Sequence, residues 1–141
     1  MKKNKVIITL FLGSLLFYAC GNAAKLTEYD FGTDKVPSVN AVIGEERKVS
    51  GVGSGTTNGI QHKQYTYKTT SMVDDLAVYT TYLRNNGWAV IESYNFNNGK
   101  GIAQLAIESA DKGKILIMSI DFKEDQYEIK VEKTKGTLTS D

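Results

Sequence analysis

Few side chains in this 141-residue chain have the chemistry of a reaction centre. His62 is the only histidine. As a general base it would need a nucleophile or carboxylate within hydrogen-bond reach, and one imidazole cannot build a multi-histidine metal site. Its neighbours in sequence supply no such partner, so it is expected as an exposed strand residue. Asp74 and Asp75 could form an acid/base pair, yet their place at the start of a helix-like stretch explains them as capping and dipole charges. Asp121, Glu124, Asp125 and Glu128 gather at one hairpin end. Their spacing is not that of a calcium loop, and Lys123 and Lys130 can neutralise them, so no metal and no cofactor are expected.

The glycine-rich stretch Gly51 to Gly59 could cradle an anion on successive amides. Phosphate-binding motifs need a helix directly after the glycines, whereas here an alternating strand pattern follows. A mobile hairpin loop is the expectation. Tyr65, Tyr67, Tyr79, Tyr82 and Trp88 cluster around the helix and are expected mainly as core. If the chain holds a small ligand, an aromatic cleft between helix and sheet would be its place. No Gly-x-Ser-x-Gly elbow occurs, and the protein is not expected to be an enzyme.

The elements that must position these residues read as follows. Glu45 to Ser50 and Gln61 to Thr69 are expected as strands. Ser71 with Asp74 resembles a capping box, and Val73, Leu76, Ala77, Thr80 and Leu83 repeat at helical spacing, so a helix is expected from Met72 to Asn85. Asn86 and Gly87 supply its stop, with Trp88 folding back. Four alternating segments follow: 88–96, 102–109, 114–122 and 126–133. Turns centred on Asn98-Gly99, Asp111-Lys112 and Glu124-Asp125 place the bulkiest apolar residues on one face. The expected fold is α+β: two N-terminal strands, one helix, then a four-strand antiparallel meander with the helix packed on one face.

The other face of that meander is less polar than solvent contact alone would favour. The register places Ile91, Ala106 and Ile117 near one another in mid-sheet, with Ile102 and Ile115 nearby. That is the expected interaction face, suited to a protein partner.

Lys2, Lys3 and Lys5 precede an apolar run from Val6 to Ala19, the pattern of a secretory signal that is too short to span a bilayer permanently. Its end, Leu16-Phe17-Tyr18-Ala19-Cys20, resembles the lipobox of bacterial lipoproteins. Ala19 and Cys20 match, and Phe17 and Tyr18 stand where leucine and smaller residues are usual. The resemblance implies acylation of Cys20, membrane attachment through that lipid, and a place in the cell envelope on the extracytoplasmic side. Cys20 is the only cysteine, so no intrachain disulfide is available.

The expected organisation is therefore a signal peptide over 1–19, a lipidated polar tether over 20–40, a single domain over 41–135 and a tail over 136–141. Without the signal's three lysines, 14 basic residues face 16 acidic ones, which gives no electrostatic reason for nucleic-acid binding. The functional expectation is a non-enzymatic binding or interaction lipoprotein of the envelope. The alternative is a small-ligand carrier.

Overall fold

The computed structural model describes residues 25–93, 100–123 and 125–139. Cys20 with its whole leader, the expected Asn98-Gly99 turn with Tyr94 and Phe96, and Glu124 lie outside these. The described chain runs β1 (Glu28–Asp30), β2 (Lys35–Pro37), α1 (Val39–Ile43), β3 (Lys48–Thr57), β4 (Ile60–Lys68), α2 (Met72–Asn85), β5 (Ala89–Glu92), β6 (Lys100–Glu108), β7 (Lys114–Lys123) and β8 (Gln126–Lys135). β1 and β2 form a small antiparallel sheet. The other six strands form one antiparallel sheet in the order β3-β4-β8-β7-β6-β5.

This corrects the expected α+β arrangement of one helix on a four-strand meander. The described residues are mostly β, with eight strands and two helices. The two strands before α2 do not stand apart, because β4 pairs along its length with β8, from Gln61 opposite Lys133 to Lys68 opposite Gln126. Residues some 60 positions apart carry that pairing, so no local periodicity announces it.

The segment read as a tether also folds, from Glu28 onward. Ser38 caps α1 by accepting from the Ala41 amide, and Gly44 closes it in the left-handed conformation. Tyr29 and Val39 are fully buried. The Tyr29 ring stacks on Tyr65 at 4.8 Å, and its hydroxyl meets that of Tyr67 at 2.7 Å.

The glycine-rich stretch is not a loop. Gly51 to Thr57 belong to β3, which turns into β4 through Asn58 and Gly59 alone, both with positive φ (52° and 78°). Two left-handed residues between directly paired Thr57 and Ile60 make the tight hairpin turn whose twist matches that of strands. The Asn-Gly dipeptide carried this signal, and the surrounding glycines masked it.

α2 runs from Met72 to Asn85, as its periodicity predicts, but its buried stripe is rotated. Met72, Asp75, Leu76, Tyr79, Thr80 and Leu83 face inward, whereas Val73 and Ala77 are exposed. Ser71 makes no side-chain cap; instead its amide donates to Thr69 Oγ1. At the other end the Trp88 amide donates to Leu83 O and the Gly87 amide to Arg84 O, with Gly87 at φ 90°. These are the two bonds of a Schellman stop, and the buried side chains of Leu83 and Trp88 supply its apolar contact.

β6, β7 and β8 pair in the expected registers, with Glu108 opposite Ile115 and Lys123 opposite Gln126. Leu105, Leu116, Met118, Ile120, Phe122, Tyr127, Ile129 and Val131 then point to the side carrying α2 and the N-terminal segment. Each contributes roughly 1.5–3 kcal/mol by burial. β5 departs from expectation. Ala89, not Ile91, stands opposite Ala106, and the register shifts between Val90 and Glu92. That shift is a bulge at Ile91, on an edge strand where such irregularities concentrate.

Candidate functional site

The face of the sheet away from α2 divides into two halves. Across β4 and β8 it is polar: Thr66 donates weakly to Glu128 at 3.5 Å, and Lys130 pairs with Glu132 at 2.6 Å. Across β5, β6 and β7 it is mixed, with Gln104 donating to Ser119 at 3.2 Å and Ile102 standing opposite Asp121. Ala106 and Ile117 are direct cross-strand partners, Ala106 fully buried and Ile117 half-buried. Ile91 and Ile102 are 55% and 43% exposed.

Among the described residues the N-terminal segment does not cover this face, because Tyr29 and Phe31 pack on the opposite side, Phe31 beneath the Lys63 ammonium at 5.6 Å. Ile115 is the exception. The chain after β8 returns over it: a Cβ on Gly136 would sit 3.1 Å from Ile115 Cδ1, and the Leu138 amide donates to Glu108. The expected patch is therefore broken up: the Gln104–Ser119 pair separates Ile102 from Ala106 and Ile117, Ile91 stands at the β5 bulge, and Ile115 is covered by the C-terminal segment.

The five aromatics of the expected cleft are spent on packing. Tyr67 and Tyr79 are fully buried, and Tyr65 and Trp88 nearly so. Tyr67 stacks on Tyr127 at 5.2 Å, Tyr79 donates to Pro37 O at 2.9 Å, and Tyr82 lies against the core edge. Burial raises the hydroxyl pKa values of Tyr65, Tyr67 and Tyr79, so these groups stay neutral. A helix-to-sheet cleft of about 230 Å³ opens further along, lined by Thr80, Arg84, Val90, Glu92, Ser93, Ala103 and Leu105.

His62 faces Glu132 across the strand pair, but that carboxylate is held by Lys130, and the His62 ring lies over Gly55. Asp121 stands opposite Glu128 as the register requires. Among the described residues no group of three or more His, Cys, Asp or Glu side chains is placed to hold a metal ion.

Two charged clusters escaped the sequence reading. Asp75 is 4% exposed and receives both Arg47 Nε (2.8 Å) and Arg47 Nη2 (2.9 Å), as well as the Tyr127 hydroxyl (3.2 Å). The bidentate carboxylate bond raises the Arg47 pKa further. Burial, followed by the Asp75 charge, pushes the Tyr127 hydroxyl up. This arrangement ties the chain entering β3 to the first turn of α2.

Lys133, 3% exposed, meets Asp111 at 2.6 Å, Asp34 at 2.7 Å and Thr33 Oγ1 at 2.7 Å. Asp34 also accepts from Ser109 Oγ (2.6 Å) and the Ala110 amide (2.8 Å). Burial works against both charges, and the hydrogen bonds outweigh it: Asp34 is held below its ordinary pKa and Lys133 above. The cluster fastens the N-terminal hairpin to the β6–β7 turn.

Both clusters had a signal in the sequence. Asp75 sits on the same helical stripe as Leu76 and Tyr79. Lys133 continues the inward alternation of Tyr127, Ile129 and Val131. A charge at an inward position implies a buried partner.

No protein-family model, curated protein or solved structure matches the chain. The geometry therefore defines a class of architecture only, a six-stranded antiparallel sheet with one face packed and the other mixed, and its function has to be argued from that surface.

Proposed function

We propose that this protein is a lipid-anchored binding module of the bacterial envelope, held on the extracytoplasmic side through Cys20, that docks an envelope protein against the β5–β6 end of its sheet. The observation that carries the reading is the pair of exposed isoleucines at the β5–β6 end, Ile91 and Ile102, which the described N-terminal segment, packed on the opposite face, does not cover. Large exposed aliphatics grouped at one end of a folded sheet favour a partner that removes them from water. The export signal and the Ala19-Cys20 junction support the location.

The test has two parts. Mass spectrometry of the mature N-terminus is expected to find Cys20 acylated; an unmodified Cys20 removes the anchor. Cross-linking in the envelope is then compared between the wild type and Ile91→Asp, with loss of a specific partner expected. Identical partner lists remove the docking surface. A small ligand in the cleft beside Thr80 and Arg84 is the second reading, favoured by that cavity. Ile91→Asp lies outside its lining and would leave such binding intact.

A further inference from the structure

The other end of the sheet carries a different feature. β3 is an edge strand, and among the described residues nothing pairs with its outer side. Edge strands are ordinarily guarded by charge, proline or bulges. Between the register shift at Ser50 and the turn at Asn58, Gly51 to Thr57 include no charge and no proline.

The two-residue turn fixes which backbone groups are open. Its flanking residues, Thr57 and Ile60, form a hydrogen-bonded pair, so Gly55, Gly53 and Gly51 also point their amides and carbonyls at β4. The N–H and C=O groups of Val52, Ser54 and Thr56 therefore point outward. Their side chains stand on the α2 side of the sheet, as Val52 opposite Tyr65 shows. Val52 is 70% exposed, higher than any other large aliphatic described.

We infer that β3 pairs antiparallel with β3 of a second copy of this chain about a two-fold axis at Ser54. In that register Ser54 faces Ser54 of the partner subunit, Val52 faces the partner's Thr56, and Gly53 faces the partner's Gly55. The outward residues form three pairs that exchange two hydrogen bonds each. The opposed glycines offer no side chain to obstruct the approach. Ser54 is the midpoint of the regular stretch, and a shift of two residues either way runs the pairing into the bulge or the turn.

The side chains also complement one another. Beside Thr56 lies an open cleft of about 380 Å³, floored by Phe31 and Gly32 and rimmed by Asp30, Gln61, His62 and Lys63. The two-fold axis stands perpendicular to the sheet, so it keeps like faces together. Each subunit's Val52 is delivered opposite the other's Thr56, at the mouth of that cleft. One operation thus pairs the open backbone groups and covers both exposed valines, as an isologous interface requires. A second copy fits better than an unrelated strand for this reason. The β5–β6 end remains free for its own partner.

The test uses the full chain purified from membranes in detergent. In the inferred pairing the two Ser54 Cα atoms lie about 5.5 Å apart, within disulfide range. Ser54→Cys is expected to give a reducible dimer under mild oxidation, while the wild type, with Cys20 alone, and Ser119→Cys in mid-sheet are not. Ser54→Pro removes only an outward amide, which an edge strand tolerates, and is expected to keep the circular dichroism spectrum while sedimenting as a monomer. Val52→Lys should have the same effect by placing a charge against the partner. A Ser54→Cys yield no higher than that of the wild type overturns the inference. So does a sedimentation mass that neither Ser54→Pro nor Val52→Lys lowers.

Discussion

Arg47 and Asp75 illustrate how one side chain decides the placement of a whole segment. A carboxylate this buried is costly without a counter-ion, and the bidentate guanidinium with the Tyr127 hydroxyl answers it. Arg47→Met would leave the Asp75 carboxylate without its cation and is expected to cost about 3 kcal/mol. Urea unfolding at neutral pH checks this; a loss under 1 kcal/mol would mean that Tyr127 and solvent suffice. Asp75 was legible as a helix N-terminal acid, which it is by position. Its partner was not, because Arg47 lies 28 positions away and nothing in the intervening pattern connects them.

At the level of elements, α2 and the β3–β4 hairpin depend on backbone conformations that few residues adopt. Gly59 sits at φ 78° with nothing within 4 Å of where a Cβ would stand, so a substitution there is a backbone effect alone. Gly59→Ala is expected to cost about 1–2 kcal/mol through the left-handed penalty and to lower the melting temperature. An unchanged melting temperature would show that the turn has another accessible geometry. The stop of α2 was readable because Asn86, Gly87 and Trp88 act within one turn of chain. The buried stripe was harder, since Val73 and Ala77 suggest one face while Asp75 and Tyr79, polar by type, take the inward places once they find partners.

Across the whole molecule, the N-terminal hairpin is held by aromatic packing and by the Lys133 cluster. Hydrogen bonds from Lys133 first and then Thr33, with the Lys133 charge behind them, hold Asp111 below its ordinary carboxylate value, and Asp34 is likewise lowered. Their contribution is complete above the ordinary value of 3.8 and is lost as pH falls through the lower folded values. Lys133, raised above 10.5, contributes below that pH and is lost only as pH rises through its folded value. The melting temperature of the wild type should therefore drop below about pH 4 more steeply than that of Lys133→Met, whose carboxylates have lost their cation. Equal acid slopes would show that the cluster does not govern this limit.

The sequence by itself determined what short stretches of chain decide. It set the extent of α2, its glycine stop, and the β6–β7–β8 registers, in which one residue of slip would turn every apolar side chain to the wrong face. It also supplied the leader and the lone Cys20, on which the envelope proposal rests. Only the tertiary structure joined β4 to β8, folded the N-terminal hairpin onto Tyr65 and Tyr67, and paired Lys133 with Asp34 and Asp111. Periodicity states that a face must be buried but not against what. The contacts that answer this join residues 22 to 99 positions apart, and their free energy exists only once the surfaces have met.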